Sequence, residues 1–261
     1  MGHGGHGWEG VVLKVFRGKD FTLTVTGVED VTDAYRRVRF SDGGMLAVSG
    51  VHPTMWVRLW FDNGDKPHQR AYTLVDPDPA AGTFGVEFAL HDGRASDWAR
   101  GARPGDTAEA TVQRREFTLP EPPPARMFLI GDRASVPALN SLLDAAGAAS
   151  ATIWVETAHA DDERLPLRIR PDRHEVRHVP RSDGGAGLVA AVKDALPGLV
   201  GDDRAGSYVW IACDTVTTRA LASYVRRELR LPKHRVHALG YWRPERSERP
   251  ERAERPARPA G

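Results

Sequence analysis

A proline-rich segment, "TLPEPPPAR" at 118–126, restricts the fold of this chain more than any other feature of its sequence. Proline lacks a backbone N–H, so four prolines in this segment disfavour regular pairing and favour an extended connector. The segment lies near the midpoint of the 261 residues. We therefore predict two domains, at 8–119 and 126–243, followed by a tail at 244–261.

Before this connector the sequence has the pattern of short β-strands. Runs rich in Val, Phe, Trp, Tyr and Thr, such as "FTLTVTGVED" and "TMWVRLWFD", alternate with turn-forming clusters such as "SDGG" and "DNGD". Several short strands at this spacing favour an antiparallel barrel or sandwich. One short helical stretch, "RASDWARGA", follows these strands.

After the connector, apolar strands alternate with helices. "RMFLIGD", "SATIWVET" and "GSYVWIACD" have the composition of buried strands, whereas "SVPALNSLLDAAG" and "GLVAAVKDALPGL" have helical spacing. This alternation predicts βαβ units and a mostly parallel sheet that is covered on both faces. We predict a last strand over "RVHALGYW", which ends at Trp242.

Composition limits the classes of function. The formal net charge is +1, which gives no support to a nucleic-acid-binding role. The single cysteine, Cys213, excludes an internal disulfide and a Cys-ligated iron–sulfur cluster within one chain. No apolar run approaches the ~20 residues of a membrane span, and the N-terminus lacks the pattern of a secretory signal. These features predict a cytoplasmic protein without nucleic-acid or membrane partners, and we expect a monomer.

Both ends of the chain are predicted to lack fixed structure. His3 and His6, in the glycine-rich "MGHGGHG", are too few for a closed metal site, so we predict no metal. The sequence from Arg243 onward holds arginines, glutamates and prolines with almost nothing apolar. Such a segment cannot offset its ordering entropy by burial, and we predict that it is disordered.

The stretch "HQRAYTLVDPDP" at 68–79 groups a cation, an aromatic ring and a hydroxyl. In a strand, Arg70 and Tyr72 share one face, and Thr73 presents its hydroxyl on the other face or at the strand's end. This grouping suits a ligand with an anionic part and an aromatic part. The alternative is an edge strand with a cross-strand Arg–Tyr contact. We expect the prolines that follow to release the chain into a turn.

Six stretches in order resemble the siderophore-interacting protein family. They are "RAYTL", "VEFALHDGRASDWA", "ARPGD", "GDRASVPAL", "YVWIACD" and "LGYWR", and the resemblance runs from Gly10 to Arg243. It implies an N-terminal antiparallel β-barrel that binds FAD, followed by a C-terminal parallel-sheet nucleotide-binding domain for NAD(P)H. It also implies electron transfer from NAD(P)H through FAD to a ferric siderophore or other ferric chelate, with no catalytic acid or base from the protein.

The resemblance assigns roles to the "RAYT" segment of the barrel. Arg70 would pair with flavin phosphate, since its planar fork matches phosphate oxygens. Tyr72 would pack against the isoalloxazine ring, and Thr73 would hydrogen-bond its redox-active edge. Ala71 lies between them in the same cofactor-binding segment.

A second flavin contact is expected at "HDGRASDWAR". Gly93 permits close backbone approach, and Ala95 and Ser96 open a helix whose free N–H groups suit pyrophosphate. His91 is a further cofactor candidate, although closing the strand is its alternative role, and simple capping is the alternative for Ser96. The family usually carries an arginine where this chain has Val75. Either another arginine supplies that charge, with Arg94 the nearest candidate, or this chain belongs to a divergent branch.

In the second domain the resemblance implies nicotinamide-dinucleotide contacts at strand ends. Glu156 would accept ribose hydroxyls. Cys213 would face the nicotinamide pocket, with a small buried core residue as its alternative. Tyr241 and Trp242 would lie over the flavin, with a core aromatic pair as the alternative.

Three arginines are candidates for binding an anionic ferric chelate. Arg181 leads, with a cofactor phosphate contact or an ordinary surface position as alternatives. Arg133 and Arg243 are further candidates.

Two other functions remain open from the sequence. One keeps FAD and NAD(P)H but passes electrons to another small acceptor or a redox partner. The other is a relative that binds flavin or siderophore without turnover.

Overall fold

The computed structural model describes residues 19–62, 68–112 and 116–244. The expectations for His3 and His6, and for the tail beyond Pro244, fall outside these residues.

The N-terminal half is a closed antiparallel β-barrel, as the resemblance implies. Its strands are β1 (Lys19–Thr32), β2 (Tyr35–Ser41), β3 (Trp56–Phe61), β4 (His68–Asp78), β5 (Thr83–Ala89) and β6 (Thr107–Val112). Their order around the barrel is β1-β2-β5-β4-β3-β6, and β6 closes it by pairing with β1. Alternate residues of each strand point inward, so Leu23, Val38, Val57 and Val86 fill an apolar core.

Two local features of the barrel differ from the sequence expectation. A short helix, α1 (Met45–Ser49), lies between β2 and β3, where no helix was predicted. β4 continues through Pro77, although we expected the prolines to end the strand. The register of β4 against β5 shifts between Val75 and Asp78, and a bulge of this kind tolerates a residue that has no N–H to donate.

The C-terminal half is a five-stranded parallel sheet with helices on its faces. Its strands are β7 (Arg126–Asp132), β8 (Ser150–Thr157), β9 (His174–Pro180), β10 (Ser207–Ala212) and β11 (Val236–Ala238). The order is β11-β10-β7-β8-β9, so the winding direction reverses between β7 and β10. Ligands of such sheets bind at the carboxyl ends of the strands near this reversal.

Four helices complete the described structure. They are α2 (Arg94–Gly101) beside the barrel, and α3 (Val136–Ala145), α4 (Ala186–Val200) and α5 (Thr215–Arg227) in the C-terminal half. The last strand is shorter than predicted, because β11 ends at Ala238. Beyond it, the backbone stays hydrogen-bonded alongside the residues that follow β10, and Trp242 forms an isolated parallel bridge with Asp214. No helix within the described ranges is long and apolar enough to cross a membrane.

The two halves meet in a mixed apolar and polar interface. Tyr35 of the barrel packs with Val136 and Leu165 of the C-terminal half. Arg168 forms ion pairs with Asp144 of α3, at 2.5 Å, and with Asp76 of β4. One guanidinium therefore connects the two domains.

We expect the Arg168 pairs to stabilise the domain interface modestly. Exposed ion pairs contribute about 0.2–1 kcal/mol each, so Arg168→Gln should lower the free energy of unfolding by about 1 kcal/mol. Urea denaturation should show this loss at low salt and a smaller loss at 1 M salt, because salt screens the pairs. The control is Arg164→Gln, since Arg164 pairs with Asp161 inside one domain. Equal losses for both variants would contradict an inter-domain role.

Candidate functional site

The "RAYT" segment lies in β4 with its side chains placed as the alternation predicts. Arg70 is exposed and donates to the neighbouring carbonyl of Gln69 at 2.8 Å. The Tyr72 ring is half-buried, with its centroid 4.5 Å from that of Phe88, and burial raises the pKa of Tyr72 well above its usual range. Thr73 is buried. The segment thus offers an exposed cation beside an enclosed ring and hydroxyl.

The second predicted flavin contact lies where α2 begins. Gly93 precedes the helix with a φ of 140°, a backbone conformation that favours glycine, and no side chain caps the helix. Ser96 is therefore not the N-cap: its Oγ accepts from the N–H of His91 at 3.2 Å, and the helix begins at Arg94. The first N–H groups of α2 remain suited to an anion.

Three buried carboxylates converge at the carboxyl edge of the parallel sheet. Asp132 ends β7, Glu156 lies at the end of β8, and Asp214 follows β10. Of these three carboxylates, the sequence pattern predicts only Glu156 as a binding residue. Asp132 and Asp214 could also have been predicted from the sequence. Each follows an apolar run, "RMFLIGD" or "YVWIACD", and so lies at the strand end where ligands of parallel sheets bind.

Arg181 holds this cluster together. Its guanidinium donates to Oε2 of Glu156 and lies 3.5 Å from Oδ2 of Asp214. It also stacks over the ring of Trp242, 5.0 Å from the centroid, and the Trp242 Nε1 donates to Oδ2 of Asp132 at 2.7 Å. We call Asp132, Glu156, Arg181, Asp214 and Trp242 the edge cluster.

Local turns fix the two aspartates of the edge cluster. Asp132 accepts from the N–H of Ala134 at 2.9 Å, and its backbone exchanges hydrogen bonds with the Ser135 hydroxyl. Gly131 is required beside this turn, because a Cβ there would lie 2.1 Å from the Ser135 Oγ. Asp214 caps α5 and also accepts from the Thr217 hydroxyl at 2.6 Å.

Burial shifts the ionisation of the edge cluster. It raises the pKa of Asp132 to about 6, against the opposing effects of the Trp242 indole and the Ala134 N–H. Burial also raises the pKa of Glu156, and the Arg181 charge opposes that rise. Burial therefore makes the ionised carboxylates of Asp132 and Glu156 less stable in the cluster than in water.

Tyr241 connects the two predicted cofactor regions. Its hydroxyl lies close to the Thr73 side chain of the barrel, and its backbone N–H donates to the Cys213 carbonyl at 2.8 Å. Its ring packs edge-on against Trp210, with centroids 6.1 Å apart. Burial raises the pKa of Tyr241 to about 12. The structure thus brings together Thr73, Tyr241 and the edge cluster at one junction between the domains.

Several nominated residues are placed differently from the expectation. Cys213 is fully buried, with Sγ 3.5 Å from the Thr218 hydroxyl, so it is a core residue and does not face a pocket. Arg133 donates to the Ala34 carbonyl across the domain interface and is only 12% exposed, which leaves it little freedom to bind a chelate. Arg181 is engaged by two carboxylates in the same way.

Arg243 and Arg94 are exposed, as is Gly93, whereas Ala95 is buried. His91 is also exposed, and its Nδ1 lies 2.6 Å from the Asp92 carbonyl. Ala71 is exposed in β4 beside Arg70.

The structure also revises which arginine lies near Val75. Val75 is buried and lines an inter-domain cavity of about 450 Å³, together with Leu74, Pro137 and Asn140. Arg168 lines the same cavity, whereas Arg94 does not. Arg168 is therefore an arginine that lies near Val75 in space. The sequence does not show this, because Arg168 is distant along the chain and belongs to the other domain.

The raised pKa of Asp132 predicts a pH-dependent stability. The usual pKa of an aspartate is about 3.9, so the folded chain binds this proton more tightly than the unfolded chain does. The stability that protonated Asp132 contributes is complete below about pH 4 and is lost as pH rises through about 6. Relative to Asp132→Asn, the wild type should lose on the order of 2–3 kcal/mol between pH 4 and 7. Denaturant unfolding of both proteins across this range tests it, and a pH-independent difference would contradict it.

Comparisons with known proteins agree with this architecture. Residues 15–112 match the siderophore-interacting FAD-binding domain, and residues 124–245 match the siderophore-interacting protein family. A solved siderophore-interacting protein from Acinetobacter baumannii superposes with a TM-score of 0.73 at 22% identity. It covers 88% of this chain and 94% of that one, so the two share a fold.

Two curated proteins are similar in sequence. The chain is 34% identical over 246 residues to the mycobactin import ATP-binding/permease protein IrtA of Mycolicibacterium thermoresistibile, covering 90% of this chain but only 26% of that protein. It is 25% identical over 197 residues to the ferric acinetobactin reductase of Acinetobacter baumannii, covering 73% of this chain and 67% of that one. The chain thus spans about a quarter of the length of the first relative. The chain belongs to the siderophore-interacting protein family, and its N-terminal half contains that family's FAD-binding domain.

Proposed function

We propose that this chain takes electrons from NAD(P)H through FAD and reduces a ferric siderophore or another ferric chelate, releasing Fe(II). The observation that carries the proposal is the close approach of the Tyr241 side chain to the Thr73 side chain. It joins the predicted flavin segment of the barrel to the ligand-binding edge of the parallel sheet. A donor bound at that edge and an acceptor of electrons bound at β4 would therefore meet at this junction.

The barrel residues fit FAD. Arg70 is an exposed cation, and α2 begins with uncapped N–H groups beside Gly93, so two features suited to phosphate occur in one domain. Thr73 offers a hydroxyl that donates or accepts at the flavin edge. When bound, FAD accepts a hydride from a nicotinamide and returns electrons singly, which is the chemistry that reduction of iron requires.

The C-terminal half fits the electron donor. Its sheet reverses direction between β7 and β10, and the edge cluster lies at the carboxyl ends of these strands. Trp242 and Tyr241 lie at this edge, so they would shelter the nicotinamide ring of a bound donor from water. The protein would bind, orient and enclose; no side chain needs to transfer a proton when iron is reduced.

The substrate assignment rests on relatives and chemistry together. One similar protein is named a ferric acinetobactin reductase, and this name supports a ferric complex as the substrate. Reduction weakens such a complex, because Fe(II) matches hard oxygen ligands less well than Fe(III). Among the three arginines predicted to bind the chelate, Arg243 is exposed and directly follows Trp242 of the edge cluster. We propose Arg243 as a chelate-binding cation.

Arg70→Ala should weaken FAD binding. Loss of a charge-assisted phosphate contact costs on the order of 1.5–3 kcal/mol, which is roughly a 10- to 150-fold rise in Kd. Titration of flavin-free protein with FAD, followed by fluorescence, measures this. Arg39→Ala is the matched control, because Arg39 is an exposed barrel arginine that pairs with Glu29. An unchanged Kd for Arg70→Ala would remove Arg70 from the flavin site.

The reaction itself is tested by flavin absorbance and Fe(II) formation. The FAD-loaded chain should lose its flavin bands on adding NADH or NADPH without oxygen, and should then form Fe(II) when a ferric siderophore or ferric citrate is added. A chromogenic Fe(II) trap reports the product. Bleaching without Fe(II) from any chelate would point to a different acceptor. A bound flavin that neither nucleotide bleaches would point to a relative that binds without turnover.

A further inference from the structure

In the Glu156–Arg181 ion pair of the edge cluster, one acceptor atom and one donor atom have no hydrogen-bond partner among the described residues. Glu156 is 2% exposed, and its Oε2 receives Arg181, but its Oε1 has no hydrogen-bond partner among the residues described. The Nη2 of Arg181 is likewise buried without a partner in the described ranges. A buried acceptor and a buried donor therefore lie together, and leaving either unsatisfied is costly. A ligand group that both donates and accepts would satisfy both.

The position of this pair relates it to a dinucleotide. In parallel nucleotide-binding sheets, an acidic residue about 20 residues after the glycine turn binds the ribose 2′-hydroxyl of NAD. An arginine in the same region accommodates the 2′-phosphate of NADP. Glu156 ends β8, the strand beside β7 and its Gly131 turn. This chain holds both residue types there, bonded to one another.

We propose that the Glu156–Arg181 pair selects NADH over NADPH. The inference rests on the proposed function, since it requires that the chain bind a nicotinamide dinucleotide. A ribose hydroxyl would donate to Oε1 of Glu156, and a neighbouring hydroxyl oxygen would accept from Nη2 of Arg181. A 2′-phosphate is largely doubly ionised at neutral pH and has no proton for Oε1.

The charges around the pair oppose a 2′-phosphate as well. Arg181 is shared between Glu156 and Asp214, and Asp132 adds a third carboxylate, so a formal charge of +1 faces three carboxylates. The turn after β8 continues this pattern with Asp161, Asp162 and Glu163. Phosphate would need a cation that is not already engaged.

Two other arginines near this edge are engaged as well, and the exposed Arg243 is assigned to the chelate in the proposed function. Arg164 pairs with Asp161, and Arg133 donates to the Ala34 carbonyl. Neither guanidinium is therefore a ready partner for a 2′-phosphate. The ribose of NADH carries no 2′-phosphate and therefore needs no free cation there.

The test measures binding without turnover. FAD-loaded wild-type protein is titrated with NAD⁺ and NADP⁺ by calorimetry, and with 5′-AMP and adenosine 2′,5′-bisphosphate to isolate the ribose end. We expect NAD⁺ to bind at least tenfold more tightly than NADP⁺, with the same order for the two fragments. NADP⁺ binding as tight as NAD⁺ would overturn the inference, whatever any variant does.

A charge-neutral variant assigns the selectivity to the pair. Glu156→Gln keeps the size of the side chain but removes one of the two carboxylates that hold Arg181, so the NAD⁺ preference should fall at least tenfold, mainly through tighter NADP⁺ binding. Glu175→Gln is the control, because Glu175 is an exposed glutamate on β9 that bonds Arg177. Flavin content and circular dichroism show that each variant is folded. An unchanged preference in folded Glu156→Gln would remove Glu156 from the selection.

The outcomes separate this inference from the proposed function. Tight binding of both dinucleotides with equal affinity overturns the NADH selectivity alone, and the reductase proposal stands. Binding of neither dinucleotide overturns the selectivity together with the nicotinamide part of the proposed function.

Discussion

The hydrogen bond from the Trp242 indole to the buried carboxylate of Asp132 is the contact on which the rest of the site depends. It ties the end of the described chain to the first turn of the parallel sheet. The Trp242 carbonyl also accepts from the Thr215 N–H, so the segment is held along the sheet edge at β10. Because Trp242 is fixed in this way, its neighbour Tyr241 reaches Thr73 in the barrel. One buried acceptor therefore positions both the edge cluster and the junction between the domains.

The edge cluster is costly for the fold. Burial raises the pKa of Asp132 and of Glu156, which means that their ionised forms are less stable there than in water. Replacing buried ion pairs by well-packed apolar side chains is often neutral or stabilising. A carboxylate group that sits at the ligand-binding edge of a sheet at such a cost is better explained by recognition than by stability.

The parts of this fold that repeat a pattern could be predicted from sequence, and the parts fixed by single long-range contacts could not. The strands of the barrel and of the parallel sheet follow from alternation and from apolar runs, and α3 and α4 follow from helical spacing. The strand predicted through Trp242 is shorter in the structure, because β11 ends at Ala238, although Leu239 and Tyr241 still donate backbone hydrogen bonds to Ile211 and Cys213. β4 passes Pro77 because of a bulge that no local pattern reveals.

The same distinction holds for the candidate site. "RAYT" could be nominated as a flavin-binding segment because its chemistry is concentrated in four successive residues. Cys213 could not be assigned, because a strand end is pocket-facing or buried according to what packs on it, and here α5 covers it through Thr218. Arg133 and Arg181 are arginines at strand or turn ends in the sequence, but their partners, Ala34 and Glu156, are distant along the chain. A charge can be read from sequence, whereas its neutralisation cannot.

That neutralisation bears on how a chelate would be recognised. Of the three arginines nominated for an anionic substrate, two are engaged inside the protein, and Arg70 is assigned to flavin phosphate in the proposed function. Coulomb attraction between exposed unit charges at ~4 Å is about 1 kcal/mol in water and about 4 kcal/mol near a protein surface, so one remaining cation steers a chelate weakly. If the chain reduces iron, its substrate would then be held mainly by shape and apolar contact at the junction beside Tyr241.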